Sequence, residues 1–229
     1  MSAETEAVCI VLGGGGHARV LIDSLQLMKS VVIYGVLDAD RSLWGQSVLG
    51  VPVLGGDDLL PQMIERGVNH FAVGLGSVGN SLVREHLFEM GLASTLKPLS
   101  VKHPSSVCSS WAEVGIGVQL FPASVVNAGA RLGANVIVNS GAVVEHDCVI
   151  GAHAHIATGA KLSGGVRVGA GAHIGAGAVV KQDLSIGERA VVGAGACVVK
   201  DVAPDTVVVG VPARPLMGEV VDEAGAFDS

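Results

Sequence analysis

Two different hydrophobic patterns divide the chain. From residue 1 to about 98, short apolar runs alternate with helically spaced apolar positions. Ala7 to Leu12 predicts a buried strand that ends in Gly13-Gly14-Gly15-Gly16. His17 to Met28 then places Val20, Leu21, Ser24, Leu25 and Met28 on one side of a helix. Val31 to Leu37 predicts a second strand ending at Asp38, and Gly55-Gly56-Asp57 leads into an amphipathic helix to about Arg66. Phe71 to Leu75 predicts a further strand, and a last helix runs from about Ser81 to Met90. Strand–helix alternation of this kind implies a small parallel α/β sheet of Rossmann-like type.

Beyond this point the period changes. Stepping by six from Val114 gives Leu120, Val126, Leu132 and so on to Val198, which makes 15 consecutive aliphatic residues. At a 49% apolar background, chance produces such a run about once in tens of thousands of trials. Four residues after each aliphatic position stands another apolar or small residue, Ala in eight of the 15. Gly directly follows the aliphatic residue in seven of the 15, and we assign these glycines to corners that need unusual φ. One large and one small inward position every six residues is the signature of a parallel β-helix. The pattern resembles the hexapeptide-repeat left-handed β-helix, whose triangular coil takes three hexads. That resemblance implies five complete coils, with Cys108-Ser109-Ser110-Trp111 starting a further, irregular turn.

Composition agrees with a narrow interior, since aromatics are only 3% of 229 residues. Mean hydropathy of +0.56 suggests a membrane protein. The charge-free run from Val114 to Ala130, however, is broken by Gly115, Gly117, Pro122 and Gly129 and does not read as a spanning helix. Residues 1 to 7 carry Glu4 and Glu6 and lack a signal peptide's basic region. Cys9, Cys108, Cys148 and Cys197 form no Cys-x-x-Cys pair and read as fillers in a reducing cytoplasm. A net charge of −7 without a basic cluster argues against nucleic acid as a partner. The boundaries read as 1–98, 99–217 and an acidic tail, 218–229, expected to be mobile.

Three segments carry a wider resemblance: Gly13-Gly14-Gly15-Gly16-His17-Ala18-Arg19, Val144-Glu145-His146-Asp147-Cys148-Val149-Ile150-Gly151 with His155 following, and Gly210-Val211-Pro212-Ala213-Arg214. Together with the hexads they resemble the two-domain bacterial sugar acyltransferases, which include sialic-acid O-acetyltransferases and nucleotide-sugar 4-amino N-acetyltransferases. The resemblance implies acetyl transfer from acetyl-CoA without a metal, and a homotrimer with sites between neighbouring β-helices. It implies His146 as general base, oriented by Asp147, and the Gly164 N–H as oxyanion donor, although Gly164-Gly165 also reads as a plain turn. His146 and Asp147 are sequence neighbours, so a bend must bring their side chains together. CoA contacts are implied at His155, Gly164, Ala176 and Ala194, and Lys181, Arg189, Lys200 and Arg214 are candidates for its phosphates. His155 stands 18 residues before His173, so the two should stack on successive coils; a CoA contact, a metal site and surface stacking all remain open for it.

Gly13-x-Gly15-x-x-Ala18 followed by Asp38 matches the dinucleotide fingerprint, and physically such a loop attracts any phosphate. In the resembled family it receives the nucleotide of the sugar, which makes Gly14, Gly15, Gly16, His17 and Asp38 acceptor-binding candidates, with Asn139 near the sugar. The expected activity is N-acetylation of a nucleotide-linked 4-amino-4,6-dideoxy sugar. O-acetylation of a sialic acid, a metal-dependent hydrolase of carbonic-anhydrase type and a non-catalytic nucleotide-sugar-binding scaffold are the alternatives.

Overall fold

A computed structural model describes residues 7–216; the acidic tail expected over residues 218–229 lies outside them. The N-terminal region contains β1 (Ala7–Leu12), α1 (Gly16–Gln26), β2 (Val31–Leu37), β3 (Ser47–Val48), β4 (Val51–Gly55), α2 (Leu60–Glu65), β5 (His70–Val73), α3 (Leu82–Ala93) and β6 (Lys97–Pro98). They form a six-stranded sheet in the order β3-β4-β2-β1-β5-β6, parallel except for the β3–β4 hairpin. β1 lies between β2 and β5, so the chain leaves it at a topological switch point, where the glycine loop opens.

Two features depart from expectation. The β3–β4 hairpin was not foreseen, because its turn is Leu49-Gly50, both at positive φ, and Pro52 within β4 reads as a breaker. The amphipathic helix expected after Gly55-Gly56-Asp57, running to about Arg66, is a 3-10 turn (Asp57–Leu59) followed by the short α2. Pro61 is confined to a first helical turn, which fixes where α2 can start.

From Val101 the chain winds into a left-handed parallel β-helix of three faces, built from two-residue strands that pair at a spacing of 18 residues, except that the three-residue strand Val207–Val209 pairs with Val191–Val192 at a spacing of 16. Face I stacks Val101–Lys102, Gln119–Leu120, Ile137–Val138, His155–Ile156, His173–Ile174, Val191–Val192 and Val207–Val209. Face II runs from Val107–Cys108 to Cys197–Val198, and face III from Glu113–Val114 to Ser185–Ile186. The second residue of each strand points inward, so the aliphatic hexad positions and the small residues four places later form one buried core. The first coil thus begins at Val101 rather than at Cys108. It escapes the hexad pattern because Lys102 and Cys108 take inward positions at an open end, where Lys102 and Val114 are exposed.

The glycines are sorted differently from the expectation. Every sixth residue from Gly117 to Gly195 has φ between 52 and 75°, and this set includes Asn135, Asp147 and His153. The glycines directly after the aliphatic positions are not in that region. Gly115, Gly133, Gly151, Gly169 and Gly187 stack along the corner between faces III and I. A Cβ on Gly151 would lie 2.5 Å from the Ala170 nitrogen of the next coil. Close approach of successive coils, rather than backbone handedness, excludes a side chain there.

The N-terminal sheet packs on face I. Ala18, Leu21, Ile22 and Leu25 of α1 share a core with Val101, Phe121 and Ile137. The outward residues of face I are therefore buried, His155 at 4% and His173 at 8% exposure.

Candidate active site

His146 and Asp147 occupy the corner between faces II and III. Asp147 has φ 59°, the left-handed conformation that Asp tolerates better than most residues, and this supplies the required bend. The His146 Nδ1–H donates to the Asp147 carboxylate at 2.8 Å, which leaves Nε2 as the basic nitrogen. This hydrogen bond, reinforced by the charges of Asp147, Glu145 and Asp183, raises the imidazole pKa above its ordinary value. The His146 side chain is 65% exposed, so the base is accessible. Gly164 lies one coil further at the same corner, and a Cβ on it would be 2.5 Å from both Cε1 and Nε2 of His146. The imidazole rests on the Gly164 backbone. The Gly165 N–H is taken by the His146 carbonyl, whereas the Gly164 N–H has no backbone acceptor among the described residues.

The glycine loop sits beside the end of β2. Asp38 holds it in shape: one carboxylate oxygen accepts the Gly14 N–H and the other the Asp40 N–H at 2.7 Å. Gly14 is thus committed within the chain. Gly15 and Gly16 are exposed with nothing packed over their Cα atoms, and the start of α1 has no side-chain cap, so its N–H groups can meet an anion.

His17 turns away from that opening and into the contact with face I. The Gln119 amide nitrogen donates to the Val73 carbonyl at 2.8 Å, so its oxygen must face His17 and accept from Nε2–H at 2.9 Å. Burial, followed by the nearby charge of Arg84, depresses the His17 pKa to about 4. His155 lies beside it. Its Nδ1–H donates to the Ser77 carbonyl at 2.7 Å, and its Nε2 accepts from the Asn139 amide at 3.1 Å. Burial lowers the His155 pKa to about 3. The His155 and His173 rings do stack on adjacent coils, with centroids 5.1 Å apart.

Arg84 of α3 completes this contact. Its guanidinium is buried, donates to the carbonyls of Val73 and Leu75, and reaches the Asn135 carbonyl at 3.4 Å. Gln119, Ser77 and Arg84 were not anticipated. The 18-residue register that pairs His155 with His173 also puts Gln119 on face I, and this was the available signal. Arg84 and Ser77 left none, because only the docking of the two regions buries them.

The remaining candidates separate. Ala176 and Ala194 stack above Ser140, the neighbour of Asn139, on the corner between faces I and II, each next to a left-handed glycine (Gly177, Gly195) with open space around it. Lys181 is exposed on the His146 corner, and Arg214 is exposed in the last strand, Arg214–Pro215. Arg189 pairs with Asp205 and Glu188 and is committed. Among the described residues no three His, Cys, Asp or Glu side chains converge to hold a metal, and no helix is long and apolar enough to cross a membrane. Within one chain, then, the His146 corner and the Asn139–His155 group lie on opposite edges of face II.

A β-helix that presents an orientated histidine on a glycine corner, joined to a domain with a phosphate-type loop, defines a hexapeptide-repeat transferase. Residues 9–90 match the PglD N-terminal domain, and residues 129–164 and 147–182 match the bacterial transferase hexapeptide (six repeats). A variant of perosamine N-acetyltransferase from Caulobacter crescentus, solved with CoA and GDP-perosamine, is 36% identical, with a TM-score of 0.86 over 93% of this chain and 97% of that one. The acetyltransferase domain of PglB from Neisseria gonorrhoeae, solved with acetyl coenzyme A, is 34% identical, with a TM-score of 0.83 over 92% and 99%. WeeI from Acinetobacter baumannii is 32% identical, with a TM-score of 0.80 over 91% and 99%. The chain belongs to this family of two-domain sugar N-acetyltransferases. Nothing among the curated proteins matches it.

Proposed function

We propose that the chain transfers acetyl from acetyl-CoA to the amino group of a nucleotide-linked 4-amino-4,6-dideoxy sugar. The observation that carries the chemistry is the His146–Asp147 pair seated on Gly164. Nε2 of His146 takes a proton from the neutral sugar amine as its nitrogen attacks the thioester carbonyl. The charge that develops on the carbonyl oxygen meets the Gly164 N–H, and collapse of the tetrahedral intermediate expels the CoA thiolate. Asp147 keeps the proton on Nδ1 and stabilises the imidazolium that forms.

In this reading residues 1–98 hold the nucleotide through Gly15, Gly16 and the loop braced by Asp38 and Gly14, and residues 99–217 carry the chemistry. Ala176 and Ala194 let the pantetheine arm lie against the corner between faces I and II, with Lys181 and Arg214 toward the CoA phosphates. Asn139 orients the sugar. These groups join the His146 corner only if a second copy supplies one of them, so we propose a C3 homotrimer packed through face II. Its outward residues are Val107, Val125, Val143, Lys161, Val179 and Cys197, apolar except for Lys161, with Val107 60% exposed. Light scattering should give three times the 23.0 kDa chain mass; a fully active monomer would exclude the shared site. The four unpaired cysteines fit a cytoplasmic enzyme.

The experiment is thiol release from acetyl-CoA with GDP-, UDP- and dTDP-linked 4-amino sugars, and with free sialic acid alongside. Turnover on one nucleotide sugar, abolished in His146→Ala, is the expected result. Turnover on sialic acid alone would convert the reading to O-acetylation.

A further inference from the structure

His155 is nearly shut off from solvent, and both of its ring nitrogens are engaged within the chain. Its partners fix its state without ambiguity. A carbonyl can only accept, so Ser77 requires Nδ1–H. The Asn139 amide oxygen accepts the Ser140 N–H at 2.8 Å, so its nitrogen faces His155 and requires a bare Nε2. The ring is therefore a neutral bridge between a main-chain carbonyl of the nucleotide-side region and a side-chain amide at the edge of the β-helix. The loop that carries Ser77 is itself anchored. It leaves β5 beside the glycine loop, where a Cβ on Gly13 would lie 3.3 Å from the Gly74 carbonyl carbon, and Arg84 and Gln119 hold its first carbonyls. After these bonds Asn139 still has one amide hydrogen and one carbonyl lone pair to offer.

We infer that His155 is a positioning residue for the acceptor: the Ser77 carbonyl, His155 and Asn139 form a relay that sets the Asn139 amide against the sugar. The inference rests on the reading of Asn139 and the nucleotide sugar given above. It assigns His155 to the acceptor side, whereas a direct contact with the thioester would place it on the CoA side.

Steady-state kinetics with both substrates varied separates these assignments. In His155→Leu, which breaks both hydrogen bonds, KM for the nucleotide sugar should rise about ten-fold or more while KM for acetyl-CoA stays within about two-fold. Asn139→Ala should show the same signature, and the double variant should be no worse than the worse single one. His155→Gln can donate to Ser77 and accept from Asn139, and should recover most of the loss. A rise in KM for acetyl-CoA with the sugar KM unchanged, additive losses, or a Gln variant as poor as the Leu variant would each overturn the relay. Nitrogen-15 NMR of histidine-labelled wild-type protein reads the bridge without turnover. His155 should hold the neutral Nδ1–H tautomer from about pH 5 to about pH 8, and Asn139→Ala should shift its Nε2 resonance. An Nε2–H tautomer or a charged ring would sink the proposal. Absence of turnover on every nucleotide sugar in the wild type would count against the proposed function and leave the NMR result to decide the relay.

Discussion

Gly164→Ala adds one methyl group to the His146 corner, and its consequence can be worked out from the geometry. The new Cβ would lie 2.5 Å from His146 Cε1 and Nε2, where ordinary contact begins at 3.4 Å, so the imidazole must retreat by about 1 Å. The Gly164 φ is not left-handed, so the backbone accepts alanine without strain, and the N–H proposed for the oxyanion stays in place. The perturbation therefore falls on the position of the base. A displacement of that size costs about 100-fold in rate when the reacting atoms need near-contact alignment. The assay is kcat/KM by thiol release, paired with thermal melting. We expect a loss of that order in kcat/KM with the melting midpoint nearly unchanged. Gly165→Ala is the contrasting variant. At φ +71° and with Asp183 Oδ1 against its Cβ position, it should lower the melting point instead. A Gly164→Ala enzyme within two-fold of wild type would refute the claim that His146 works from its seat on Gly164.

Asp147 raises the His146 pKa, and a general base must be neutral, so the acid limb of kcat/KM should lie above the ordinary histidine value. Asp147→Asn should move that limb to lower pH and reduce the plateau; an unshifted limb would detach Asp147 from the base. His17 and His155 have folded pKa values of about 4 and about 3, below the value of 6.5 expected when unfolded. The unfolded chain therefore binds more protons in between, and stability is full above about pH 6.5 and falls as pH drops toward 4, by about 3 kcal/mol for His17 alone. Denaturant titrations at pH 7.5 and about pH 4.5 check this, and equal stability at both would exclude neutral buried histidines. Gly151→Ala would press a methyl against the Ala170 backbone, which cannot swing aside, and should destabilise the β-helix by about 1–3 kcal/mol in the same titration.

The β-helix was legible in the sequence because its contacts are local and repeated: each coil meets only its neighbours, so one requirement recurs every six residues and is written out along the chain. The His146–Asp147 pair was legible for a similar reason, since adjacent residues need only one left-handed bend to meet. The seven glycines after the aliphatic positions were misassigned, because a residue excluded by the next coil's backbone looks, in sequence, like one chosen for its φ. Face I is where the sequence was silent. His17 and Gln119 are 102 residues apart, and His155 and Ser77 are 78 apart. No period connects such positions. His155, which looks exposed in the sequence, is buried, neutral and fixed in tautomer because the N-terminal region docks over that face, and burial by a distant surface is a property of the tertiary structure alone.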